Sequence, residues 1–450
     1  MSYRLLDIEI TRPLPELTLG PDERGVGVVV RHGGRPVGFV LEAVAPGSRL
    51  SGRDLDRLVG RSDAVGVVRA VLADDLTAAV SAAAVGPPAA GSPPATFTVA
   101  VCTKDRPERL ARCLGAIVDS ARADGLAVAD GSAPVEVLVV DNAPSDEATR
   151  DLVAGLDGVR YAREPAAGLD FARNRAIAAA GGEVLAFVDD DVVVDGGYVA
   201  GLRAAWAADP DAGGVTGLVL PYELVGDAQV AFERRGGFRR GFHRIRWQGD
   251  RLEGNPLYPF GAGMFGAGCN MSFRRDLLVE LGGFDEALDT GRPLPGGGDI
   301  DMFFRVLRSG RPLVYAPGMA VRHEHRREHD ALRHQYYTWG TGLMAFLAKW
   351  YRQVPAADRR TIRRLLAWWF LKYQPAMVAR GALGRRGMTL DLALAELRGG
   401  VVGLAGEYGR SQRRVARIRA EVASSSRASS VPSSSSSSSS VASPVAGGGR

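Results

Sequence analysis

Three consecutive carboxylates, Asp189, Asp190 and Asp191, close the apolar run 184–188. In an extended segment, residues i and i+2 project to one side, so Asp189 and Asp191 converge while Asp190 faces away. Two carboxylates held together repel unless a cation lies between them. Oxygen ligands of this kind suit Mg²⁺ or Mn²⁺, which keep waters and bridge to substrate phosphates. A solvated acidic turn capping a strand is the competing reading. Asp299 follows three glycines and precedes Ile-Asp-Met-Phe-Phe-Arg, a segment with helical spacing. A carboxylate there either caps the helix, where free amides and the dipole favour its charge, or takes a proton from a hydroxyl as general base. Asp301 reads as its supporting or capping neighbour.

Other residues carry weaker signals. His323, His325, His329 and His334 fall within twelve residues. His323 and His325 share one side of an extended segment and would complete a metal shell with nearby acids; a solvated Arg/Glu/His run is the alternative. His323 directly follows the apolar run 313–321 and is the best ligand candidate of the four. Asn270 stands among Gly and Ala residues that permit close backbone approach to a ligand. Residues 233–251 carry seven arginines against two acids, with Phe238, Phe242 and Trp247 between them. Such a segment would bind phosphates or an acidic or lipid-linked acceptor, or form a solvated loop. The Arg/Trp-rich stretch 359–372 either lies on a membrane surface or buries an aromatic face.

These residues need elements to position them. Apolar strands are expected at 96–102, 135–141, 159–162 and 184–188, with helices between them from near Pro107, over 146–154 and over 171–180. Alternating strands and helices predict an α/β fold with a doubly wound, mostly parallel sheet covered on both faces. Functional loops in such sheets lie at the carboxyl ends of the strands. Three strands end there in polar groups: Thr103-Lys104-Asp105, Asp141-Asn142 and Asp189-Asp190-Asp191.

The remaining organisation follows from composition. Residues 1–85 read as a small accessory α+β unit, with a hairpin turning at His32-Gly33-Gly34 and a helix over 63–84. A proline-rich linker spans 86–95, the main domain 96–330, and a helical region 331–410. The tail 411–450, with serine at every position from 433 to 440, is expected to be disordered. Cys102, Cys113 and Cys269 are too few and scattered for a disulfide framework or a cysteine zinc site, and pack as small apolar side chains. The formal net charge of +5 resides in the last forty residues, where six Arg face one Glu, so no basic nucleic-acid surface is implied. Acids in the first nine residues argue against a secretory leader. No uncharged apolar stretch reaches the ~18 residues of a membrane span. The expected location is the cytoplasm, with at most peripheral contact at the inner face of the membrane.

From about 96 to 325 the chain resembles the family 2 glycosyltransferases of the GT-A fold. The resemblance rests on Cys102-Thr-Lys-Asp-Arg-Pro107, Val139-Val-Asp-Asn142, Gly168-Leu-Asp-Phe-Ala-Arg-Asn174, Phe187-Val-Asp-Asp-Asp191, Asn270-Met-Ser-Phe-Arg-Arg275, Gly282-Gly-Phe-Asp-Glu286 and Gly298-Asp-Ile-Asp301, in the family's order. It implies that Thr103 and Asp105 line a nucleotide pocket and that Asp141 contacts base or ribose. Arg173, followed by Asn174, would position the diphosphate or the metal-binding loop. Asp189-Asp190-Asp191 looks like the DXD motif, with Asp191 the foremost metal ligand and Asp189 and Asp190 toward ribose and donor sugar. Asp299 matches the catalytic base, and His323 a late metal ligand. The sequence departs from the family where Gly298-Asp299 replaces Glu-Asp and where Asp141-Asn142 replaces Asp-Asp.

The expected reaction is metal-dependent and inverting: a sugar passes from a nucleotide-diphosphate donor, UDP-sugar foremost, to an acceptor hydroxyl on a cell-envelope polysaccharide, glycolipid or small molecule. A divalent cation, Mn or Mg, would stabilise the leaving diphosphate, and a single base implies one in-line displacement. Two alternatives are a sugar-nucleotide nucleotidyltransferase, which would want a Gly-rich loop after the first strand, and a non-catalytic nucleotide-sugar-binding paralogue.

Overall fold

The computed structural model describes residues 2–62, 64–69, 94–128, 134–249, 251–291 and 294–429. Most of the expected 63–84 helix, nearly all of the linker and the serine run at 433–440 lie outside the described residues.

Fourteen strands are described. The first five form the N-terminal unit: β1 (Ser2–Glu9), β2 (Leu17–Thr18), β3 (Glu23–His32), β4 (Arg35–Ala43) and β5 (Arg49–Leu50). The sheet β1-β3-β4 turns from β3 to β4 through Gly33 and Gly34, both at positive φ, with His32 paired to Arg35. Two glycines give the left-handed backbone that a two-residue hairpin requires. This unit does not hang free. Asp7 pairs with Arg322, Arg31 with Asp195, and the Tyr3 amide donates to the Leu224 carbonyl.

The other nine strands make the central sheet: β6 (Phe97–Thr103), β7 (Val135–Asn142), β8 (Val159–Glu164), β9 (Val184–Asp189), β10 (Val192–Val194), β11 (Gly214–Pro221), β12 (Ile245–Trp247), β13 (Asn270–Arg274) and β14 (Leu313–His323). Their order is β10-β14-β11-β13-β9-β6-β7-β8, with β12 paired to β14. Strands β6, β7, β8, β9, β11 and β14 run one way; β10, β12 and β13 run against them. The mixed α/β class, the mostly parallel sheet, the strand-rich beginning and the helical end are as expected. Antiparallel β13, inserted between β9 and β11, is not implied by simple strand–helix alternation.

Apolar runs bury both faces of the sheet. Val99, Val101, Val137 and Val139 pack with Leu110, Leu114 and Ile117 of the helix Pro107–Ala123, while Ala100, Leu138, Leu185 and Phe187 pack on the opposite side with Ala172 and Ala176. The register sets Cys102 beside Asp189 and Thr103 beside Asp141, so the three polar strand ends meet on one edge. All three cysteines are buried and free, as expected.

The C-terminal region begins with the long helix His329–Gln353 and ends with the helix Tyr408–Ser429. The latter corrects the expectation of disorder from residue 411. Its residues before the serines are Arg- and Ala-rich, good helix formers. It docks through Ile418 against Ala166 and Phe171, through Ser411 to Thr290, and through Arg419 to Glu286.

Candidate active site

β9 stops at Asp189, and the turn through Asp190 and Asp191 leads into β10. Asp190 is tied back to β6: Thr103 Oγ1 donates to it at 2.8 Å and Arg106 at 3.0 Å. Asp189 and Asp191 are left together. Burial, with the charge of Asp191 alongside, raises the Asp189 carboxyl to about 7. Asp191 is buried, and its Oδ1 has no hydrogen-bond donor. Facing that oxygen at 3.5 Å is His323 Nε2, at the end of β14 and directly opposite β10 in the sheet. Burial lowers His323 to about 4, so the ring is neutral.

Asp299 opens the helix Gly298–Arg308, behind Gly297 at φ 114°. Its Oδ1 accepts from the Ile300 amide at 2.8 Å and its Oδ2 from the Gly268 amide at 3.1 Å. A Cβ built on Gly268 would lie 3.1 Å from both Asp299 Oδ2 and Arg173 Nη2, so that glycine lets the Asp299 carboxylate and the guanidinium share one wall. Arg173 is buried and donates to Asp170 at 2.9 Å, with Asp289 at 3.8 Å. Burial raises Asp170 to about 7 and Asp289 well above the carboxylate range. Asp189, Asp299 and Arg173 lie near enough for their charges to act on one another.

Asp141 sits at the end of β7. Tyr161 donates to its Oδ2 at 2.9 Å, while the buried Oδ1 has no partner. Burial raises this carboxyl. Asp105, at φ 53°, accepts from the Ser145 amide at 2.8 Å and hydroxyl at 2.7 Å, joining the loops after β6 and β7. The structure thus gathers Thr103, Asp105, Asp141, Arg173, Asp189, Asp190, Asp191, Asp299 and His323 around the carboxyl edge of the sheet.

Several neighbours serve positions rather than ligands. Asn142 donates to the Ala166 carbonyl at 2.7 Å and accepts from the Gly168 amide at 2.9 Å, fixing the entry to the helix that carries Arg173. Asn174 does the same for Phe284. Asp301 accepts from Lys349, Trp350 and Arg305, binding the helix that opens on Asp299 to the C-terminal region. The Asn270 amide donates to the Leu218 and Met319 carbonyls inside the sheet, and its buried Oδ1 has no partner.

The arginines of 233–251 are largely internal ties. Arg244 and Arg246 hold Asp209, Arg239 holds Glu233, and Arg235 covers the Tyr336 ring. Arg240 differs. It donates to the carbonyls of Phe238 and Arg239, its buried Nε has no partner, and burial lowers its basicity despite the charge of Asp299.

No three His, Cys, Asp or Glu side chains cluster as metal ligands among the described residues. The donor set at Asp191 nonetheless fits a divalent cation. A buried carboxylate oxygen without a donor faces an imidazole nitrogen, and cations of the Mg²⁺ type take one or two protein groups and leave the rest to phosphates and water.

Residues 98–282 match the protein family described as Glycosyl transferase family 2. Those residues form a family 2 glycosyl transferase domain. The domain so matched includes Asp141, Arg173 and Asp189–Asp191; Asp299 and His323 follow it. Over 167 residues the chain is 27% identical to a glucosyl-dolichyl phosphate glucuronosyltransferase of Haloferax volcanii, covering 35% of this chain and 48% of that relative. The chain thus spans about half the length of this curated relative. A solved mannosyltransferase of Pyrobaculum calidifontis in complex with GDP-Man and Mn²⁺ is 18% identical, covers 80% of this chain and 96% of its own, and overlays with a TM-score of 0.43. A mycobacterial protein of known structure is 17% identical, covers 58% and 76%, and overlays at 0.36. Within the glycosyl transferase domain, the Asn142 and Asn174 contacts were not legible from residue type, since both partners are backbone groups of distant loops.

Proposed function

We propose that the protein transfers a sugar from a nucleotide-diphosphate donor to an acceptor hydroxyl, with inversion at the anomeric carbon. One observation carries this reading: the buried, donor-less Oδ1 of Asp191 faces His323 Nε2 beside Asp189, on the edge that also bears Asp299. Asp191, Asp189 and His323 would hold a divalent cation, Mn or Mg. When bound, such an ion neutralises the charge developing on a leaving diphosphate.

The chain's own groups do the rest. Asp141 Oδ1 accepts from a base or ribose, Thr103 and Asp105 line that pocket, and Asp190, anchored by Thr103 and Arg106, lies toward ribose and sugar. Arg173 offers positive charge beside the diphosphate. Asp299 takes the acceptor's proton; each of its oxygens keeps a lone pair beyond the one amide it accepts. A UDP-sugar is the foremost donor candidate, and the family relative's lipid-phosphate substrate favours a lipid-linked acceptor.

Such an acceptor calls for contact with a membrane. Among the described residues no helix is long and apolar enough to cross one. Trp368 and Leu371 are exposed, Leu371 to 78%, in the same stretch as exposed Arg363, Arg364 and Lys372, and Leu383, Leu394 and Val401 are exposed further along the C-terminal region. Apolar groups rimmed by cations suit peripheral contact with an anionic bilayer. Trp369, by contrast, is buried in a core with Ile362 and Leu365, so the 359–372 stretch buries part of its aromatic face, as the alternative reading expected.

The test is donor turnover. A panel of nucleotide sugars is screened by thermal shift with and without Mn²⁺, and the stabilising donor is then incubated with the enzyme. Release of nucleoside diphosphate without pyrophosphate is expected. Pyrophosphate release would favour the nucleotidyltransferase alternative and overturn the proposal. Asp191→Ala is expected to weaken Mn²⁺ and donor binding together in calorimetry.

A further inference from the structure

A buried chain of polar contacts runs away from Asp191. His323 Nδ1 lies 3.0 Å from His325 Nδ1, and His325 Nε2 lies 2.8 Å from Glu233 Oε1. All of these side chains are buried, and Phe232 and Phe238 pack edge-on against the rings. Arg239 also binds Glu233. Burial alone would raise the Glu233 carboxyl, but the Arg239 guanidinium paired with it holds it below its ordinary value, so it accepts.

Proton bookkeeping then leaves one arrangement for neutral rings. Glu233 accepts, so His325 carries its proton on Nε2. His325 Nδ1 is therefore a lone pair, and it needs a donor. That donor is His323 Nδ1–H. A neutral imidazole carries one ring proton, so His323 Nε2 is a lone pair as well. It points at Asp191 Oδ1, the oxygen with no donor. Were His325 doubly protonated, the chain would run the other way. That order would aim a His323 Nε2–H at Asp191 Oδ1, yet the 3.5 Å between them makes no hydrogen bond.

We propose that Glu233 and His325 are positioning residues that hold His323 as its Nδ1–H tautomer, so that Nε2 and Asp191 Oδ1 present two facing lone pairs to a divalent cation. Two acceptors meeting in a buried site without a proton between them are costly; a cation removes the conflict. The hydrogen bond on one ring nitrogen sets which nitrogen is free to bind metal. This rests on the metal-dependent reading above, and the experiment separates the two.

The full chain has six histidines, few enough for histidine-selective ¹⁵N labelling. In the metal-free protein, His323 is expected to show a protonated Nδ1 and a bare Nε2, its signals assigned by their loss in His323→Asn. Binding of Mn²⁺ alone is read by electron paramagnetic resonance of the free ion. His325→Phe, which removes the acceptor, is expected to lose the single tautomer and weaken Mn²⁺ about 10–100-fold. His325→Asn, whose amide oxygen can accept from His323 Nδ1–H, is expected to restore both, with the thermal midpoint confirming folding of each variant. A native His323 protonated on Nε2, or a His325→Phe variant binding Mn²⁺ as tightly as the native protein, would overturn the relay. The expected tautomer without any Mn²⁺ binding would instead overturn the metal reading, leaving the relay without a purpose.

Discussion

The Asp170 carboxylate fills the space in which a side chain at position 298 would begin. A Cβ on Gly298 would lie 2.0 Å from Asp170 Oδ2, an oxygen that is buried and has no hydrogen-bond partner. An acid from a different helix, held by Arg173, thus occupies the space beside Gly298. Asp170 is short and anchored, so it cannot swing aside freely. Gly298→Ala is expected to destabilise the protein by about 1–3 kcal/mol. In the double variant with Asp170→Ala the two costs should be less than additive, since removing the carboxylate makes room. Urea denaturation of the four proteins measures this; strict additivity would mean that the two positions do not compete.

Asp299 and Gly268 offer a test of proton transfer against position. Asp299→Asn removes the acceptor of the proton but keeps the side-chain shape, so transfer should fall about 10²–10⁴-fold with donor affinity nearly intact. Gly268→Ala would bring a methyl 3.1 Å from Asp299 Oδ2 and Arg173 Nη2, displacing both by tenths of an ångström. Misplacement of this kind should cost up to about 10²-fold in kcat. Steady-state kinetics with donor-binding calorimetry distinguishes the two. A large loss of donor affinity in Asp299→Asn would contradict its assignment as base.

What the sequence made legible here was local. The strand ends at Thr103, Asp141 and Asp189 follow from apolar runs ending in polar groups, whereas Asp190 and Asp191 lie in a turn, so the two-residue period of a strand does not set their directions. What it hid was long-range. Glu233 reaches His325 across 92 positions, and Asp170 meets Gly298 from a separate helix. The arginines of 233–251 resembled a phosphate-binding run because their partners, Asp209 and Tyr336 among them, lie elsewhere in the chain. Serine-rich composition masked the helix Tyr408–Ser429, whose docking depends on Ile418 meeting Phe171.

Burial holds Asp170 and Asp189 protonated up to about 7, against 3.8 for a free aspartate. Between those values the native protein binds more protons than the unfolded chain, so its stability falls as pH rises through that window. The thermal midpoint in EDTA is expected to decline from about pH 5 to pH 7. Asp189→Asn should flatten the decline. Metal displaces the proton of its carboxylate ligands, so the stabilisation given by Mn²⁺ should grow over the same range. A flat midpoint in EDTA would mean that neither carboxylate retains its proton in the native state.

Arg240 is half-buried, with its guanidinium held by main-chain carbonyls and its buried Nε without a partner, and it feels the charge of Asp299. Burying a cation without a counter-charge is unfavourable, and an anionic substrate group would supply one. Arg240→Met keeps the length and removes the charge. It is expected to leave stability equal to or above that of the native protein, since the uncompensated cation is gone. Affinity for the phosphate-bearing substrate should fall about 10–100-fold, the range of a charge-assisted hydrogen bond worth about 1.5–3 kcal/mol. Thermal shift and binding calorimetry give both quantities. A destabilised variant with unchanged affinity would place Arg240 among the internal ties, with Arg239 and Arg244.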